Sequence, residues 1–402
     1  MIKRIILKNF FSFHERTDIK LNNGLNILLG INGSGKTSVI NALRLLYEGV
    51  VGIGFESVFQ KLWGGFSNVV NFNGEQENGD IEVTYVFDEK YLKSINKSSP
   101  FKSEVIYTIK ISRLSSSYMI SESLLSQNKK MEGTFRYLEF SNGIGLISVR
   151  QGGGQIRNEK YRNGELSGQE LVLRQITDPQ RFLPTYIIRK AVESMSLYGH
   201  FDTSTNSILR RPCEYSSNTK LIRHGDNLVH LLNHLRNEYS NSFKRIEETM
   251  NEVNPAYKSI EFRNFGSQLF LSISEKNLSR TVTSLHMSDG TLRFILLMTI
   301  FFNPMRGDFI ALDEPEGGLH PDMISLLAEM MREASRNSQI IMATHSPLLL
   351  NQFELDDIII FEKNKENESI IKRVTEDDFP DWEGEYLPGQ MWMNGQIGAK
   401  RW

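Results

Sequence analysis

One cysteine, Cys213, stands alone in 402 residues. No intramolecular disulfide can form, and nothing points to an oxidising compartment. Excess charge is equally scarce: 46 Lys and Arg meet 48 Asp and Glu, for a formal net charge of -2. That balance argues against a generally basic nucleic-acid binder, although it leaves room for a local basic face. Long apolar runs are also missing. The longest nearly apolar stretch of the C-terminal half, Phe294 to Phe302, is broken by Thr299. It is far short of the ~20 residues a membrane span needs. Met1 to Lys8 starts basic, but no long apolar core or small-residue cleavage site follows, so it reads as a strand rather than an export signal. Neither an internal repeat nor a sustained heptad pattern is visible, which gives no support to a coiled-coil arm. What remains is an ordinary globular composition, 40% hydrophobic and 23% charged. The length suits one large or two ordinary domains, and the expected location is the cytoplasm, without a membrane partner.

Against these absences one segment is dense with meaning. Gly30 to Thr37 reads Gly-Ile-Asn-Gly-Ser-Gly-Lys-Thr, a phosphate-binding loop of the form G-x-x-x-x-G-K-[ST]. It follows the apolar run Leu25 to Leu29 and opens into the amphipathic stretch Ser38 to Leu46. Strand, loop and helix is the context the motif requires. Glycines let successive N–H groups point inward at phosphate oxygens, and the helix start adds partial positive charge at the same spot. Gly30, Asn32, Gly33, Ser34, Gly35, Lys36, Thr37 and Ser38 are therefore the expected triphosphate-binding residues. Lys36 is expected to reach the β- and γ-phosphates, and the Thr37 hydroxyl to take a position on Mg²⁺.

Along the chain, Ile2 to Phe13 suggests a strand ahead of the loop. Ile81 to Phe87, Glu104 to Ser112 and Tyr137 to Phe140 are β-like, separated by turns such as Asn142-Gly143 and Asn163-Gly164. They read as an antiparallel sheet inserted after the loop helix, with Gly152-Gly153-Gly154 as a mobile loop. Ser167 to Tyr198 is irregularly helical. Asn227 to Met250 keeps its apolar residues on one face, reading as one helix capped by Asp226 or Asn227. Strands are expected near Tyr257 to Arg263 and Gln268 to Ser274. The last third alternates strand and helix: Asp308 to Leu312, Pro321 to Glu333, Gln339 to Met342, Ile358 to Phe361. That pattern implies parallel strands with covering helices.

Three further segments carry candidate chemistry. Phe309 to Glu316 is a hydrophobic strand ending in acids: Asp313 can hold magnesium, and Glu314 can accept a proton from attacking water. Glu316 is more a structural or auxiliary group. Met342 to Pro347 ends another apolar strand at His345, which suits either a contact to the γ-phosphate or attacking water, or a cap on the helix begun by Ser346-Pro347. Leu285 to Arg293 begins a helix at Ser288, so the amides of Ser288, Asp289 and Gly290 form a second anion site.

Phosphate loop, Ser-Asp-Gly helix start, Asp-Glu strand and terminal histidine, in this order, resemble the ATP-binding-cassette (ABC) type of ATPase head. The wording around them is similar to the AAA_21 and AAA_15 class of AAA-type ATPases, relatives of the overcoming-lysogenization-defect (OLD) proteins and RecF. Leu7 to Phe13, Gly30 to Ser38, Leu285 to Arg293, Asp313 to Pro321, Ala343 to Pro347 and Leu387 to Trp392 carry the resemblance. It implies an α/β fold: a P-loop NTPase with an ABC-ATPase-like head, a mixed sheet flanked by helices, an antiparallel β subdomain and a helical insertion. The expected organisation is a single domain of discontinuous lobes: 1–50 with the phosphate loop, 51–165 antiparallel, 166–255 helical, and 256–402 with signature, acidic strand and histidine. The resemblance also implies ATP and Mg²⁺ as ligands, and hydrolysis at a head-to-tail homodimer interface, with Ser288 to Gly290 of one subunit closing the other's site.

Departures limit the transfer. The signature is not the Leu-Ser-Gly-Gly-Gln of transporters, and Gly317 stands where the class has Asn. A glutamine is expected at the magnesium site, with Gln60 the candidate. His320 suits an inter-subunit turn or a helix start. Such ATPases accompany a nuclease or toxin effector, so regulation of a partner in anti-phage defence is one expectation. A RecF-like role in DNA repair is the alternative; Arg150, Arg157, Lys160, Arg162, Arg189, Lys190, Arg210, Arg211 and Arg223 suit either a basic groove for it or a solvated face balanced by nearby acids. Residues 346–402 are too few for a metal-binding Toprim domain, so an intrinsic nuclease is not expected. No Asn-Lys-x-Asp guanine-reading motif is apparent, which favours ATP over GTP.

Overall fold

Strict alternation of side chains along short buried strands sets the layering. The computed structural model describes the chain except for residues 72–78, 116, 128–132, 152–154, 215, 267, 380–385 and 399–402. In chain order the first elements are β1 (Ile2–Lys8), β2 (Thr17–Lys20), β3 (Leu25–Gly30), α1 (Lys36–Val50), α2 (Phe66–Val69), β4 (Ile81–Phe87), α3 (Glu89–Ile95), β5 (Val105–Leu114), β6 (Ser117–Gln127), β7 (Thr134–Ser141), β8 (Ile144–Arg150) and β9 (Ile156–Tyr161). The middle of the chain supplies α4 (Val172–Gln175), α5 (Leu183–Glu193), β10 (Met195–Tyr198), α6 (Leu228–Glu238), α7 (Ser240–Val253), β11 (Tyr257–Phe265), β12 (Gln268–Glu275) and β13 (Val282–Thr283). The last third holds α8 (Asp289–Phe302), β14 (Phe309–Asp313), α9 (Pro321–Ala334), β15 (Gln339–Thr344), α10 (Pro347–Leu350), β16 (Ile358–Lys363), β17 (Ser369–Arg373) and α11 (Pro388–Met393).

A six-stranded sheet runs β10-β14-β15-β3-β16-β17 and is parallel except for its last pair. Its inner strands β14, β15 and β3 are buried on both faces, as a parallel core sheet covered on each side must be. Phe309 and Ala311 of β14 join one apolar cluster, with α1, α5 and the antiparallel sheet. Ile310 and Leu312, one residue out of step, join the other, with α6 to α9. The same period of two divides Ile341 and Ala343 from Ile340 and Met342 in β15. An eight-stranded antiparallel sheet, β2-β1-β4-β5-β6-β7-β8-β9, packs over α1, and a small sheet pairs β11-β12-β13. The α/β architecture expected from the sequence is present.

Several boundaries move. The antiparallel sheet does not arise only after the loop helix, because β1 and β2 pair into it beside β4. The Asn227–Met250 stretch is two helices. Tyr239, at φ -130 and ψ 56, breaks the run between α6 and α7. One non-helical residue shifts the phase of the apolar face without erasing it, so periodicity alone hides the break. Asn227 stands at the helix start without a side-chain cap; its amide accepts from Ile222 N and donates to Lys220 O. The segment read as helical also contains β10, an edge strand beside β14. Gly152-Gly153-Gly154 lies outside the described residues. Among the described residues no helix is long and apolar enough to cross a membrane.

Candidate functional site

The phosphate loop is shaped by what its glycines permit. Gly33 and Gly35 sit at φ +78 and +109, where a side chain is strained. A Cβ on Gly35 would lie 2.4 Å from Ser369 Oγ and 2.8 Å from Ser12 Oγ, so the loop rests directly on β17 and the β1–β2 turn. α1 starts at Lys36 with no side-chain cap, leaving its first-turn amides without a side-chain acceptor. Lys36 is 5% exposed, and Nζ donates to Gly30 O at 2.5 Å and Ile31 O at 3.0 Å. Burial lowers its pKa, opposed by the nearby carboxylates of Glu314, Asp313 and Glu316.

Those acids arrive from the adjoining strands. β14 pairs with β15 and β15 with β3, so Asp313, Thr344 and Leu29 reach the same edge of the sheet. Glu314 follows at φ +47, an uncommon conformation for a residue with a side chain. His345 Nδ1, just past β15, donates to Glu314 Oε1 at 2.8 Å. The helix after it is capped by Ser346, which accepts from Leu349 N at 3.3 Å, so the histidine is not the cap.

Lys36, Thr37 and Glu314 line one cavity of 470 Å³, together with Asn32, Gly33, Gly35 and Ser38. Its other walls are Phe11, Ser12, Asn71, Lys363 and Asn367, none of which the sequence marked as a ligand-binding residue. Phe11 carries a positive φ of 49 and meets Trp63 edge-on at 5.4 Å. Gln60 lies exposed on the turn Ser57–Leu62 and is not among the lining residues. Ser288 caps α8, accepting from Thr291 N at 3.1 Å. His320 takes the helix-start role at α9, accepting from Asp322 N at 3.4 Å. Glu316 is buried and bonded by Thr344. Gly317 is explained by Arg293, whose Nη1 would lie 3.0 Å from a Cβ there.

The proposed basic groove does not form as one face. Arg210 is 3% exposed, Arg189 and Lys190 pair with Glu193, and Arg223 pairs with Glu48.

The donor set suits a hard divalent cation. Burial raises the Asp313 pKa, with Glu314 adding to the effect and Lys36 opposing it. Glu316 is also raised by burial, and its Oε2 is buried with no partner among the described residues. Asp313 and Glu314 lie close enough to act on Lys36, one residue before the Thr37 hydroxyl, and carboxylate and hydroxyl oxygens are what such a cation takes. Among the described residues no cluster of three or more His, Cys, Asp or Glu could hold a metal by itself. Magnesium would bind through Thr37, Asp313 and phosphate oxygens.

Comparison with known proteins agrees with this geometry. The family described as "AAA ATPase domain" matches residues 1–166. That described as "AAA domain, putative AbiEii toxin, Type IV TA system" matches 215–351. Over 44 residues the chain is 46% identical to the DNA double-strand break repair Rad50 ATPase of Thermoplasma volcanium, covering 11% of this chain and 5% of that protein. Over 133 residues it is 28% identical to the chromosome partition protein Smc of Methanococcus voltae, covering 32% and 10%. The chain thus spans only a small part of the curated relatives it matches. Among solved structures, an SMC head bound to the C-winged helix domain of ScpA superposes with TM-score 0.55 at 15% identity, over 94% of this chain and 99% of that one. An SMC head with an extended coiled coil, bound to the C-terminal domain of ScpA derived from Pyrococcus furiosus, gives TM-score 0.55 at 12% identity, over 96% and 98%. At such identities the likeness speaks for the fold. Loop, acids, fold and family matches converge: residues 1–166 and 215–351 match ATPase-domain families, on a fold shared with SMC heads.

Proposed function

We propose that two copies of this chain trap ATP head to tail, each lending Ser288, Asp289 and Gly290 to the other's phosphate loop. The observation that carries this reading is the single cavity shared by Lys36, Thr37, Ser38 and Glu314. On ATP entry, Lys36 exchanges its bonds to Gly30 O and Ile31 O for phosphate oxygens. The first-turn amides of α1, which no side chain caps, hold the same phosphates. Thr37 and Asp313 would hold magnesium, which would offset charge on the triphosphate. Glu314 accepts the proton of the attacking water, and His345 holds the Glu314 carboxylate in place through its Nδ1–H. Ser288 to Gly290 of the second copy stabilise charge at the γ-phosphate and exclude bulk water.

Closure of the pair is the output, transmitted to a partner effector such as a nuclease or toxin in bacterial anti-phage defence. The family description naming a toxin–antitoxin system supports a partnered role. The test is light scattering of Glu314→Gln with ATP and Mg²⁺, which should accumulate as a dimer. A protein that stays single with every nucleotide yet hydrolyses at full speed would sink the reading.

A second reading, a DNA-associated ATPase of repair, is favoured by the short matches to Rad50 and Smc. Arg150, Arg157, Lys160, Arg162 and Arg211 are the exposed members of the basic set. Steeply salt-dependent DNA binding that weakens in Arg157→Glu with Lys160→Glu would favour it. Flat binding would remove it.

A further inference from the structure

Arg210 belongs to the short turn Ile208–Arg210, on the chain leading away from β10. Its guanidinium is saturated by two separate segments. Nε donates to Thr203 O at 2.9 Å and Ser204 O at 3.1 Å. Nη1 donates to Ser284 O at 2.9 Å and Met287 O at 2.7 Å. Nη2 pairs with the Asp289 carboxylate, which is itself 67% exposed. One buried fork therefore joins the loop after β10 to the turn that delivers Ser288, Asp289 and Gly290. Arg293, in the first turns of α8, adds a second tie, donating to Phe201 O at 3.0 Å and to Gly317 O. The tied loop is not remote from the chemistry. His200, Asp202, Thr203 and Ser204 line a cavity of 460 Å³ together with Asp289, Arg293 and Glu314.

A buried cation is costly unless its donors are met, and only a planar fork of five N–H groups can meet this many fixed acceptors at once. Lysine offers one point of attachment. The two tied segments lie 74 to 79 residues away from Arg210 in sequence on one side and six or seven on the other. This side chain thus helps to fix their relative position, beside Arg293 and the bond from Ser284 Oγ to Arg210 O.

We infer that Arg210 is a positioning residue, holding the Ser288–Gly290 wall in register with the loop beside Glu314. The wall that a subunit lends to its neighbour then depends on the state of its own nucleotide end. This rests on the head-to-tail reading given above.

Complementation between subunits tests it. Arg210→Leu keeps an intact phosphate loop but a misplaced wall; Lys36→Ala keeps an intact wall but cannot grip phosphate. Alone, Arg210→Leu should lose roughly 10- to 100-fold in kcat while the affinity of the monomer for a fluorescent ATP analogue changes by less than about twofold. Mixed with Lys36→Ala, it should regain activity, because one site per mixed dimer unites two sound halves. The reference pair is Ser288→Arg with Lys36→Ala. Rescue in both mixtures supports the role of Arg210. Rescue in the reference pair alone shows that Arg210 serves its own subunit's site, and the inference fails while the head-to-tail reading stands. Rescue in neither removes the head-to-tail reading itself. Should Arg210→Leu prove insoluble, Arg210→Lys keeps the charge but loses the fork and enters the same mixtures; full turnover by Arg210→Lys overturns the inference.

Discussion

The six-stranded and eight-stranded sheets share one hydrophobic cluster, yet they present their strand ends in opposite ways. Parallel strands deliver their C-terminal ends to one edge. There β3 releases the phosphate loop, β14 releases Asp313 and Glu314, and β15 releases His345. Loops that converge at one edge of a parallel sheet make a natural ligand crevice. Antiparallel hairpins alternate between edges, so the larger sheet never gathers its turns in one place. Its contribution is to press on α1. Tyr85 of β4 donates to Ala42 O at 2.5 Å, and Gln339 of β15 bonds both N and O of Ile2 in β1. One sheet concentrates chemistry and the other concentrates support.

The largest effect that separates them should come from Glu314 and Lys36. Glu314→Gln should lower turnover by roughly 10²- to 10⁴-fold with ATP binding kept, since only the proton acceptor is lost. Lys36→Ala should instead weaken ATP binding by roughly 10- to 100-fold, the scale of a lost charge-assisted hydrogen bond. Parallel measurements of ATP affinity and steady-state hydrolysis check the split. Equal hydrolysis by Glu314→Gln and the parent protein would remove the assignment of the base.

A matched pair of glycines sharpens the contrast. Gly35→Ala places a methyl 2.4 Å from Ser369 Oγ at φ +109, and Gly145→Ala places one 2.2 Å from Glu139 O in the antiparallel sheet. Each should cost about 1–3 kcal/mol of stability. Only the first also turns phosphate-binding amides. ATP should therefore raise the melting temperature of Gly145→Ala as it does for the parent, and leave that of Gly35→Ala unmoved. Loss of the ATP-induced shift in both would mean that the support sheet shapes the site.

The catalytic sheet was the more legible of the two. β3, β14, β15 and β16 are short strands with mainly apolar cores, each bounded by a turn or a motif, so their type could be read. β6 was hidden because its inward face carries Glu122 and Ser126 among Tyr118, Ile120 and Leu124, which breaks the apolar alternation. β10 has only four residues. Asp313, Glu314 and His345 could be named from strand ends, but their convergence depends on strand order. The φ of +47 at Glu314 also has no signature in residue type. Arg210 read as a surface cation because acceptors dozens of residues away do not register in local composition. The same distance concealed Phe11, Asn71 and Lys363 as cavity walls.

Glu122 gives the support sheet a pH response that the catalytic sheet need not share. It is buried, accepting from Tyr107 Oη at 2.5 Å and from Val172 N at 2.7 Å. Burial pushes its pKa up to about 7, with those two bonds opposing. Between its ordinary carboxylate range and that value the folded chain holds a proton that the unfolded chain has lost. Stability from this group is therefore full at low pH and declines as pH rises through about 7. Glu122→Gln should flatten the difference in unfolding free energy between pH 5 and pH 8, read from urea titrations, by on the order of 2 kcal/mol. Parallel profiles for the two proteins would show that Glu122 is ionised in the fold throughout.

The smallest change bears on the link between the sheets. Tyr85→Phe removes one buried hydroxyl, while Ala42 O stays inside α1, where helical bonding supplies an acceptor's usual partner. The loss should be about 1 kcal/mol in urea unfolding, with little cavity left behind. α1 also carries the phosphate-binding amides, so the same variant asks whether support reaches the site. If the antiparallel sheet only props the helix, ATP affinity in Tyr85→Phe stays at the parent value. If ATP affinity falls by as much free energy as stability does, the helix is being aimed as well as held, and the division of labour between the two sheets breaks at this contact.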